Sequence, residues 1–422
     1  MRPRILLGVT GSVAAYKTVD LVRELSSFAE VRVVLTDAGA RMVPEKVLAK
    51  VSGYPVGRTL FKGFKPIKPG TPSGSHPLSF VPHIEIAKKS DLVLIAPASA
   101  DFLAKMALGL GDDLLSTLCL YAPGPIWAAP AMNVHIWNHP AVKENCARLR
   151  SRWVRFLGPE SGHLACGDVG DGRFVEPGEI VSQARDYFSH FGRWKNKKVV
   201  VTAGGTQEPI DPVRMITNHS SGKMGYALAQ AALNRGAQVT LISAPVKMAP
   251  MTGAKMIYIK TAQEMRVQTL RAFKSADLLI MAAAVADYRV TRPSRLKIKK
   301  SQSRLTLSLE KNPDILAEAL RGKKKGQLVV GFSAETDHLE KNARLKWKRK
   351  PADFLVANEV GRASRGTGFE SDTNELLVFS RFASKPIRLG KDFKSRLAEK
   401  LMGLIQKGWE SQSFSKQKGS GR

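Results

Sequence analysis

Cys166 lies in a glycine-rich segment, LACGDVGDGR, at residues 164–173. A thiol can bind a metal, exchange electrons or act in catalysis, and in a turn it can simply be a small side chain. The chain has three cysteines, Cys119, Cys146 and Cys166, and no C-x-x-C motif. This spacing argues against a structural zinc site and a disulfide framework, so we expect reduced thiols. A catalytic role and a small residue in a turn both stay open for Cys166.

Two other polar residues of the first half could act on a substrate. Asn133 follows the apolar run PIWAAPA, and its amide could orient a carboxylate. His83 precedes a predicted helix, where a neutral imidazole could orient a substrate or relay a proton. Each also has a structural interpretation, because asparagine is common in turns and a lone histidine is usually part of the packing.

Small and hydroxyl-bearing residues follow several predicted strands of the first half. Gly11 and Ser12 lie at a strand-to-helix turn, Ser99 ends another apolar run, and Ser116 and Thr117 open a helix. Backbone N–H groups and hydroxyls at such turns suit a phosphate, although each residue singly could be a helix cap. The turn lacks G-x-G-x-x-G, which favours a mononucleotide over a dinucleotide.

The second half has its own phosphate-binding pattern. Ser220, Ser221 and Gly222 open a predicted helix, and their hydroxyls and free amides form a phosphate cradle. Thr217 and Met224 stand where a Walker A motif requires glycine and Ser/Thr, so this segment is not a P-loop.

Charged residues surround the later strands. Asp287 lies just past an apolar run, KIKK occupies residues 297–300, and KNARLKWKRK occupies 341–350. Lys346 and Lys350 are four residues apart on a predicted helix, which places them on one face. The two basic clusters could neutralise a triphosphate, or they could be solvated surfaces.

Two doubly wound α/β domains would position these residues. Each half begins with an apolar run and a glycine-rich turn, RILLGVTGS and KVVVTAGGT, which is typical of the first strand of such a domain. Further strands are predicted at 31–36, 92–98 and 125–131, and at 238–243, 277–284, 327–335 and 353–358. Helices are predicted at 178–190 and 221–235. The continuous apolar runs predict a parallel sheet in both halves.

The basic stretch HFGRWKNKK separates the halves. We therefore predict a first domain at 1–190, a linker at 191–196, a second domain at 197–410 and a disordered basic tail at 411–422. Residues 58–82 are rich in Pro, Gly and Lys and predict a surface loop.

Composition limits the classes of protein. The 422 residues are 43% hydrophobic, enough for real cores, and no apolar run reaches the length of about 20 residues that spans a bilayer. We expect a cytoplasmic protein without a membrane partner. The net charge of +30 attracts nucleic acid nonspecifically, but no nucleic-acid motif is present and only 7% of residues are aromatic.

The first half resembles a known family. GVTGSVAAYK, HIEIAKKSDLVLIAPASAD, DDLLST, PAMNVHIW and LACGDVGDGRFVEP occur in the order found in flavin-dependent phosphopantothenoylcysteine decarboxylases, over nearly all of residues 1–190. The resemblance implies a flavodoxin-like fold that binds FMN. It also implies that His83 assists thiol oxidation at the flavin, that Asn133 holds the substrate carboxylate, and that Cys166 donates a proton from a loop that folds over the substrate.

The second half resembles phosphopantothenoylcysteine synthetase. The matching segments are TAGGTQEPIDPVR, NHSSGKMG, AAAVADYR, KIKK, KNPDI and VVGFSAET, within roughly 198–360. The resemblance implies a Rossmann-like α/β fold and a CTP-dependent ligase that forms an acyl-cytidylate before cysteine displaces CMP. Mg²⁺ is expected with the triphosphate.

The same resemblance assigns residues to the ligase site. Asn218 would contact the acyl intermediate, and Lys297 would stabilise charge on the α-phosphate. The remaining nucleotide-binding positions would be Met281, Ala282, Ala283, Asp287, Pro313, Asp314, Ile315, Leu316, Phe332, Lys346 and Lys350.

Together the resemblances imply a bifunctional enzyme of coenzyme A biosynthesis. Its substrates would be 4′-phosphopantothenate, cysteine and CTP, and it would be a homo-oligomer built from decarboxylase trimers and synthetase dimers, up to a dodecamer. A flavin-dependent decarboxylase of peptide C-termini is an alternative, although it has no use for a nucleotide cradle. A basic nucleic-acid-binding protein is a second alternative, and ATP stays open in place of CTP.

Overall fold

The computed structural model describes residues 2–60, 90–122, 124–299, 304–360, 368 and 370–419, with side chains up to Ser411. The chain divides into two compact units, Met1–His190 and Phe191–Arg422. His83 and most of the predicted surface loop at 58–82 lie outside the described residues. In the part of the chain that is described, no helix is long and apolar enough to cross a membrane.

The first unit contains a five-stranded sheet in the order β2-β1-β3-β4-β5, and all of its pairings are parallel. The strands are β1 Arg4–Val9, β2 Glu30–Leu35, β3 Leu92–Ala98, β4 Ile126–Pro130 and β5 Arg155–Phe156. Every residue of β3 is buried, which explains its unbroken apolar sequence. The structure confirms the predicted strands in this unit to within one residue at each end.

Helices cover both faces of this sheet. They are α1 Thr18–Ser26, α2 Asp37–Met42, α3 Glu45–Ser52, α4 Ala100–Leu108, α5 Leu114–Tyr121, α6 Val134–Asn138, α7 Pro140–Ser151 and α8 Pro177–His190, and a 3₁₀ helix spans Val13–Lys17. One core packs against α1, α3 and α8, and the other packs against α4, α5 and α7. A separate antiparallel hairpin, β6 Glu160–His163 and β7 Val169–Arg173, carries the cysteine loop.

The second unit contains an eight-stranded sheet in the order β12-β11-β8-β13-β16-β17-β18-β19. The strands are β8 Lys198–Ala203, β11 Gln238–Ser243, β12 Lys255–Tyr258, β13 Leu278–Met281, β16 Leu328–Glu335, β17 Phe354–Glu359, β18 Thr373–Ser380 and β19 Ile387–Phe393. Neighbouring strands from β12 to β17 pair in parallel. The strand β18 pairs antiparallel with both of its neighbours, β17 and β19. The expectation of an entirely parallel sheet was therefore wrong at this edge.

The described part of the second unit also contains two small ribbons and five helices. The ribbons are β9 Gln207–Pro209 with β10 Met215–Thr217 and β14 Tyr288–Val290 with β15 Leu309–Lys311. Four of the helices are α9 Lys223–Asn234, α10 Ala262–Phe273, α11 Ile315–Arg321 and α12 Leu339–Arg349.

A fifth helix of this unit, α13 Lys394–Gly419, ends the described chain. The helix continues through the residues predicted to be a disordered tail, as far as Gly419. The residues predicted to be a linker also differ from expectation. Trp194 is 1% exposed, and its ring lies edge-on to Trp409 with the centroids 4.9 Å apart. The 191–196 segment is therefore anchored in the second unit rather than free between two units, because its indole is part of the packing.

The strand orders identify the two folds. The order 2-1-3-4-5 of the first sheet is flavodoxin-like, and the six parallel strands of the second follow the Rossmann order 3-2-1-4-5-6. This confirms the predicted α/β fold class. In both folds, ligands bind beyond the carboxyl ends of the strands where the strand order reverses. These switch points lie between β1 and β3 in the first unit and between β8 and β13 in the second.

Candidate functional site

Hydroxyl groups join three strand ends at the first switch point. The Thr10 hydroxyl donates to the carbonyl of Pro97 and accepts from the backbone N–H of Ser99, both at 2.8 Å. The Ser12 hydroxyl donates to the carbonyl of Ala131 at 3.0 Å. The ends of β1, β3 and β4 therefore meet, and the predicted phosphate-binding residues Ser12 and Ser99 lie at this common edge.

Gly11 allows the first turn to approach α2 closely. A Cβ atom at Gly11 would lie 2.5 Å from the Cβ of Ala38, which is shorter than any normal contact. The glycine therefore lets the turn at the switch point pack directly against α2.

Ser116 and Thr117 are used by their own helix. Ser116 is buried and forms a capping box with Asp113, whose backbone N–H donates to the serine hydroxyl at 3.1 Å. The Thr117 hydroxyl donates to the carbonyl of Asp113 at 2.8 Å. The structure thus gives both residues a capping role, and their predicted contact with a cofactor stays a prediction.

Asn133, Cys166 and Asp168 form one hydrogen-bonded group, which we name the Asn133 triad. The Asn133 amide nitrogen Nδ2 donates to Asp168 Oδ2 at 2.6 Å and to Cys166 Sγ at 3.1 Å. The Cys166 thiol donates to Asp168 Oδ2 at 3.4 Å. The structure therefore brings together two of the three predicted catalytic residues of the first unit.

Asp168 was not among the predicted site residues. Hydrogen bonds from Asn133 and then from Cys166 lower the pKa of its carboxyl below the usual range. A signal was present in the sequence, because Asp168 is two residues from the cysteine in a turn-forming segment. Spacing alone could not show that its carboxylate faces Asn133.

Glycines dock the cysteine hairpin onto the Asn133 segment. A Cβ at Gly172 would lie 2.3 Å from the carbonyl oxygen of Met132, and a Cβ at Gly170 would lie 2.7 Å from Val134 Cγ2. The backbone N–H of Met132 also donates to the carbonyl of Gly172 at 3.0 Å. The hairpin can approach this closely only because these positions lack side chains.

The second switch point is organised by Thr206 and Asn218. The Thr206 hydroxyl accepts from the backbone N–H of Ala286 at 2.9 Å, and the Asn218 amide donates to the carbonyl of Ala284 at 3.2 Å. The backbone N–H of Ala283 donates to the Thr202 hydroxyl at 3.2 Å. These bonds bring Asn218 to the 282–286 segment. Ala282 lies in the same segment, directly after the buried Met281.

The predicted phosphate cradle lies next to this segment. Gly222 has a φ of 75° and directly precedes α9. A Cβ at Gly225 would lie 2.7 Å from Ala203, so the first turn of α9 presses against the end of β8. The backbone N–H of Ser220 donates to the carbonyl of Asn218 at 2.8 Å, which places Ser220 and Ser221 beside Asn218 at the start of the helix.

Lys346 and Lys350 share one face of α12 and its final turn, as predicted. Lys346 Nζ donates to the carbonyl of Phe332 at 3.1 Å, and Lys350 forms an ion pair with Asp314. Burial, and then the charge of Lys350, lower the pKa of Lys346, while the carboxylates of Glu335, Asp287 and Asp314 oppose that change. Five of the predicted nucleotide-binding residues, Asp287, Asp314, Phe332, Lys346 and Lys350, therefore lie in one neighbourhood.

Other predicted residues are placed differently. Ile315 and Leu316 are buried in the core of the second unit, so their contribution to a ligand site is the helix start that follows Pro313 and Asp314. Lys297 is exposed, and its segment is held by Asp211, whose carboxylate accepts from the backbone N–H of Ile298 at 3.2 Å. The structure anchors Lys297 to the β9–β10 side rather than to the Lys346 group.

Within the described ranges, no three His, Cys, Asp or Glu side chains are arranged to hold a metal ion.

Two family models cover nearly the whole chain. A model described as Flavoprotein matches residues 1–189, and one described as DNA/pantothenate metabolism flavoprotein C-terminal domain matches residues 194–408. The Coenzyme A biosynthesis bifunctional protein CoaBC of Haemophilus influenzae is 42% identical over 95% of this chain and 96% of its own. The protein of the same name from Bacillus subtilis is 40% identical over 96% of this chain and 98% of its own. The chain belongs to the family of bifunctional coenzyme A biosynthesis proteins.

This family assignment confirms three predictions for the bifunctional coenzyme A biosynthesis protein. It is a flavoprotein, it is an enzyme with decarboxylase and ligase activities, and it acts in coenzyme A biosynthesis. A solved C-terminal domain of a Coenzyme A biosynthesis bifunctional protein CoaBC is also similar, with 33% identity over 52% of this chain and 99% of its own and a TM-score of 0.44.

Proposed function

We propose that the second unit joins cysteine to 4′-phosphopantothenate with CTP, and that the first unit decarboxylates the resulting 4′-phosphopantothenoylcysteine to 4′-phosphopantetheine. The family assignment supports the pair of activities. The observation that carries the chemistry of the first unit is the Asn133 triad, in which the Asn133 amide nitrogen lies 3.1 Å from the thiol of Cys166 in the hairpin loop.

The decarboxylation needs a redox cofactor. Loss of CO₂ from a saturated cysteine amide has no acceptor for the electron pair, whereas a thiocarbonyl β to the carboxylate can accept it. Bound FMN supplies the two-electron oxidation of the substrate thiol and, after CO₂ has left, the two electrons for the reduction. The electrons balance, so the cycle consumes no external oxidant.

The residues of the triad bind the substrate and move a proton. Asn133 donates from Nδ2 to the substrate carboxylate, which fixes the bond that breaks. Cys166 then protonates the substrate carbon during reduction, so the S–H bond breaks as the C–H bond forms and a thiolate remains. His83, which lies outside the described residues, keeps its predicted role in thiol oxidation.

The first switch point fits the phosphate of FMN. Ser12 and Ser99 lie at the edge where β1, β3 and β4 end, and Gly11 leaves the turn without a side chain. The Ser99 hydroxyl also caps α4 by accepting from the backbone N–H of Phe102 at 3.3 Å. Hydroxyls and backbone N–H groups are the donors that a phosphate prefers at such an edge.

The second unit would activate a carboxylate. A carboxylate oxygen of 4′-phosphopantothenate attacks the α-phosphorus of CTP, and the bond to pyrophosphate breaks. The cysteine amine then attacks the acyl carbon, and CMP leaves. In this proposal Ser220, Ser221 and Gly222 hold the pantothenate phosphate, Asn218 orients the acyl group, and Lys346 and Lys350 neutralise the triphosphate. Mg²⁺ accompanies the triphosphate, and Lys297 approaches the α-phosphate from its exposed segment.

One assay separates the two activities. Purified protein receives 4′-phosphopantothenate, cysteine, CTP and Mg²⁺, and CMP, pyrophosphate, CO₂ and 4′-phosphopantetheine are measured. We expect all four products with CTP, less with ATP, and no pyrophosphate after chelation of the metal. Pyrophosphate without CO₂ would leave only the ligase part of the proposal.

Cys166→Ser tests the proton donor. This variant should release pyrophosphate and CO₂ but accumulate the enethiol in place of 4′-phosphopantetheine, because the reduction lacks its acid. Normal turnover by this variant contradicts the assignment of Cys166. The proposed homo-oligomer is tested separately by light scattering on the flavin-loaded protein, where a monomer contradicts it.

A further inference from the structure

The amide oxygen and both amide hydrogens of the Asn133 side chain already have hydrogen-bond partners. Its Oδ1 accepts from the backbone N–H of His135 at 2.8 Å, which fixes the amide so that Nδ2 faces the cysteine loop. The two hydrogens of Nδ2 go to Asp168 and Cys166. A substrate carboxylate can therefore bind Nδ2 only by displacing one of these partners.

Asp168 has the same chemistry as the group that would displace it. Its carboxylate lies 2.6 Å from Nδ2, closer than the sulfur of Cys166 at 3.1 Å. Two carboxylates on one amide nitrogen repel each other and compete for one donor. Occupation of Asn133 by Asp168 and by the substrate carboxylate is therefore mutually exclusive.

Cys166 and Asp168 lie in one hydrogen-bonded turn. The backbone N–H of Leu164 donates to the carbonyl of Asp168 at 2.8 Å, and that of Gly167 donates to the carbonyl of Leu164 at 3.0 Å. These bonds close the loop on itself between its two ends. When this turn is displaced from Asn133, the carboxylate of Asp168 and the thiol of Cys166 are therefore withdrawn together.

We propose that Asp168 is a carboxylate placeholder that orders the two chemical steps of the first unit. It occupies Asn133 in the empty site, is displaced by the substrate carboxylate, and returns once CO₂ has left. Its return brings Cys166 back to the substrate only after the carboxylate has gone, so protonation follows decarboxylation. This inference rests on the proposed decarboxylase function, and Asp168 is a positioning residue in it.

A matched pair of unreactive ligands tests the competition. 4′-Phosphopantothenoylserine keeps the carboxylate but replaces the thiol by a hydroxyl, and its ethanolamine counterpart lacks the carboxylate. Dissociation constants are measured by calorimetry on the full, FMN-loaded chain. In Asp168→Ala and Asp168→Asn, we expect the carboxylate ligand to bind about tenfold more tightly, since one charge-assisted hydrogen bond no longer competes.

The controls separate competition from a general loop effect. The ligand without a carboxylate should keep its dissociation constant within about twofold in both variants. Asp171→Ala changes an exposed carboxylate on the same hairpin and should alter neither ligand. Asp168→Asn preserves size, and an unchanged flavin spectrum shows that the site is folded.

Two results overturn the inference. One is an equal change in both dissociation constants, and the other is weaker binding of the carboxylate ligand to Asp168→Ala. If the wild-type protein binds neither ligand, the proposed function itself fails and this inference fails with it.

With the natural substrate, Asp168→Ala should release more CO₂ than 4′-phosphopantetheine, because Cys166 is no longer drawn back. A ratio of one at wild-type rate rejects the ordering role.

Discussion

Lys346 combines a half-buried amine with a proposed nucleotide-binding position. It donates to the carbonyl of Phe332, lies beside Lys350, and has its pKa lowered by burial. The carbonyl of Phe332 is a neutral acceptor, and a nucleotide phosphate would add the negative charge that a half-buried ammonium group favours.

Lys346→Met should therefore reduce pyrophosphate formation by a factor of about 100, the loss expected when one stabilising contact to a transition-state phosphate is removed. Lys348→Met, an exposed position on the same helix, is the matched control and should stay within about twofold. Decarboxylation of added 4′-phosphopantothenoylcysteine should be unchanged in both. Equal losses in the two variants would show that the helix tolerates no change.

Lys394 gives a prediction about pH. It is 5% exposed and donates to the carbonyl of Gly368 at 2.6 Å, and burial, followed by the charge of Lys223, lowers its pKa to about 8. Because the unfolded lysine keeps its ordinary pKa of 10.5, the unfolded chain binds more protons between pH 8 and 10.5. This group therefore lowers the free energy of unfolding by about 3 kcal/mol below pH 8, and the loss is relieved as pH rises.

Between pH 8 and pH 10.5 the free energy of unfolding of the wild type should therefore rise because of Lys394, and Lys394→Met should remove this rise. Urea unfolding of the wild type and the variant at pH 7, 8, 9 and 10 measures it. The difference between the two should change by about 3 kcal/mol across the series, while Lys385→Met, an exposed lysine, leaves the slope unchanged. Parallel curves for wild type and Lys394→Met contradict the depressed pKa.

At the residue scale, the sequence predicted partners but not their geometry. The resemblance assigned Asn133 and Cys166 to one site, and the structure brings them within hydrogen-bonding distance. Asp168 was missed because its role depends on the direction in which the loop folds. Ser116 was predicted as a cofactor ligand because a hydroxyl at a helix start serves a cap and a ligand equally well.

At the element scale, the cysteine hairpin depends on a close backbone approach. Gly172 has a φ of 139° and lies where a Cβ would meet the carbonyl oxygen of Met132 at 2.3 Å. A side chain there is strained by its backbone conformation and also pushes the hairpin away from Asn133.

Gly172→Ala should therefore lower 4′-phosphopantetheine formation at least tenfold, because Cys166 and Asn133 separate. Gly178→Ala is the matched control, since a Cβ at Gly178 meets nothing within 4 Å. Pyrophosphate formation by the second unit serves as an internal standard in both variants. Normal product formation by Gly172→Ala would show that the hairpin adapts and that its close approach is not required.

The strands of both sheets could be predicted wherever they are continuously buried, as in β3 and β13. The two strands at the far edge of the second sheet, β18 and β19, were not predicted although most of β18 is buried, so their antiparallel direction was not predicted either. A signal was available in the connection. Residues 381–386 between β18 and β19 are too few for the crossover that parallel neighbours require.

At the scale of the whole molecule, each unit has its own core, and Asp353 shows how the second is held. This buried carboxylate accepts from Lys323 Nζ at 2.6 Å, from Arg381 at 2.7 Å and from the backbone N–H of Val329 at 2.7 Å. These partners connect β16, β17 and the segments around them. Removal of the carboxylate leaves the buried N–H group of Val329 and the partly exposed Lys323 without their acceptor, whereas Arg381 is exposed to solvent.

Asp353→Ala should cost the second unit about 2–3 kcal/mol of stability, as expected when a buried N–H group and a partly buried cation lose their acceptor. Thermal denaturation followed by pyrophosphate formation and by flavin absorbance separates the units. Ligase activity should be lost at a lower temperature while the flavin transition stays unchanged. Glu340→Ala removes an exposed carboxylate between Arg344 and Arg388 and should cost at most about 1 kcal/mol. A simultaneous shift of both transitions contradicts separate cores.

Composition did not predict how the second unit begins and ends. HFGRWKNKK is polar enough for a linker, yet its single tryptophan is buried. SQSFSKQKGSGR lacks apolar residues at helical spacing, yet α13 extends through most of it, because a helix already formed by packed residues propagates more easily than it starts.

The contact between Trp194 and Trp409 has a consequence for protein engineering. Because the two indoles pack against each other, the segment that begins the second unit lies beside α13 at Trp409, ten residues before that helix ends at Gly419. A short connector could therefore join these two segments, and new ends could be opened at a distant exposed turn, giving a circular permutant with the same packing. The same proximity would let the unit be inserted as a cassette into a surface loop of an unrelated scaffold.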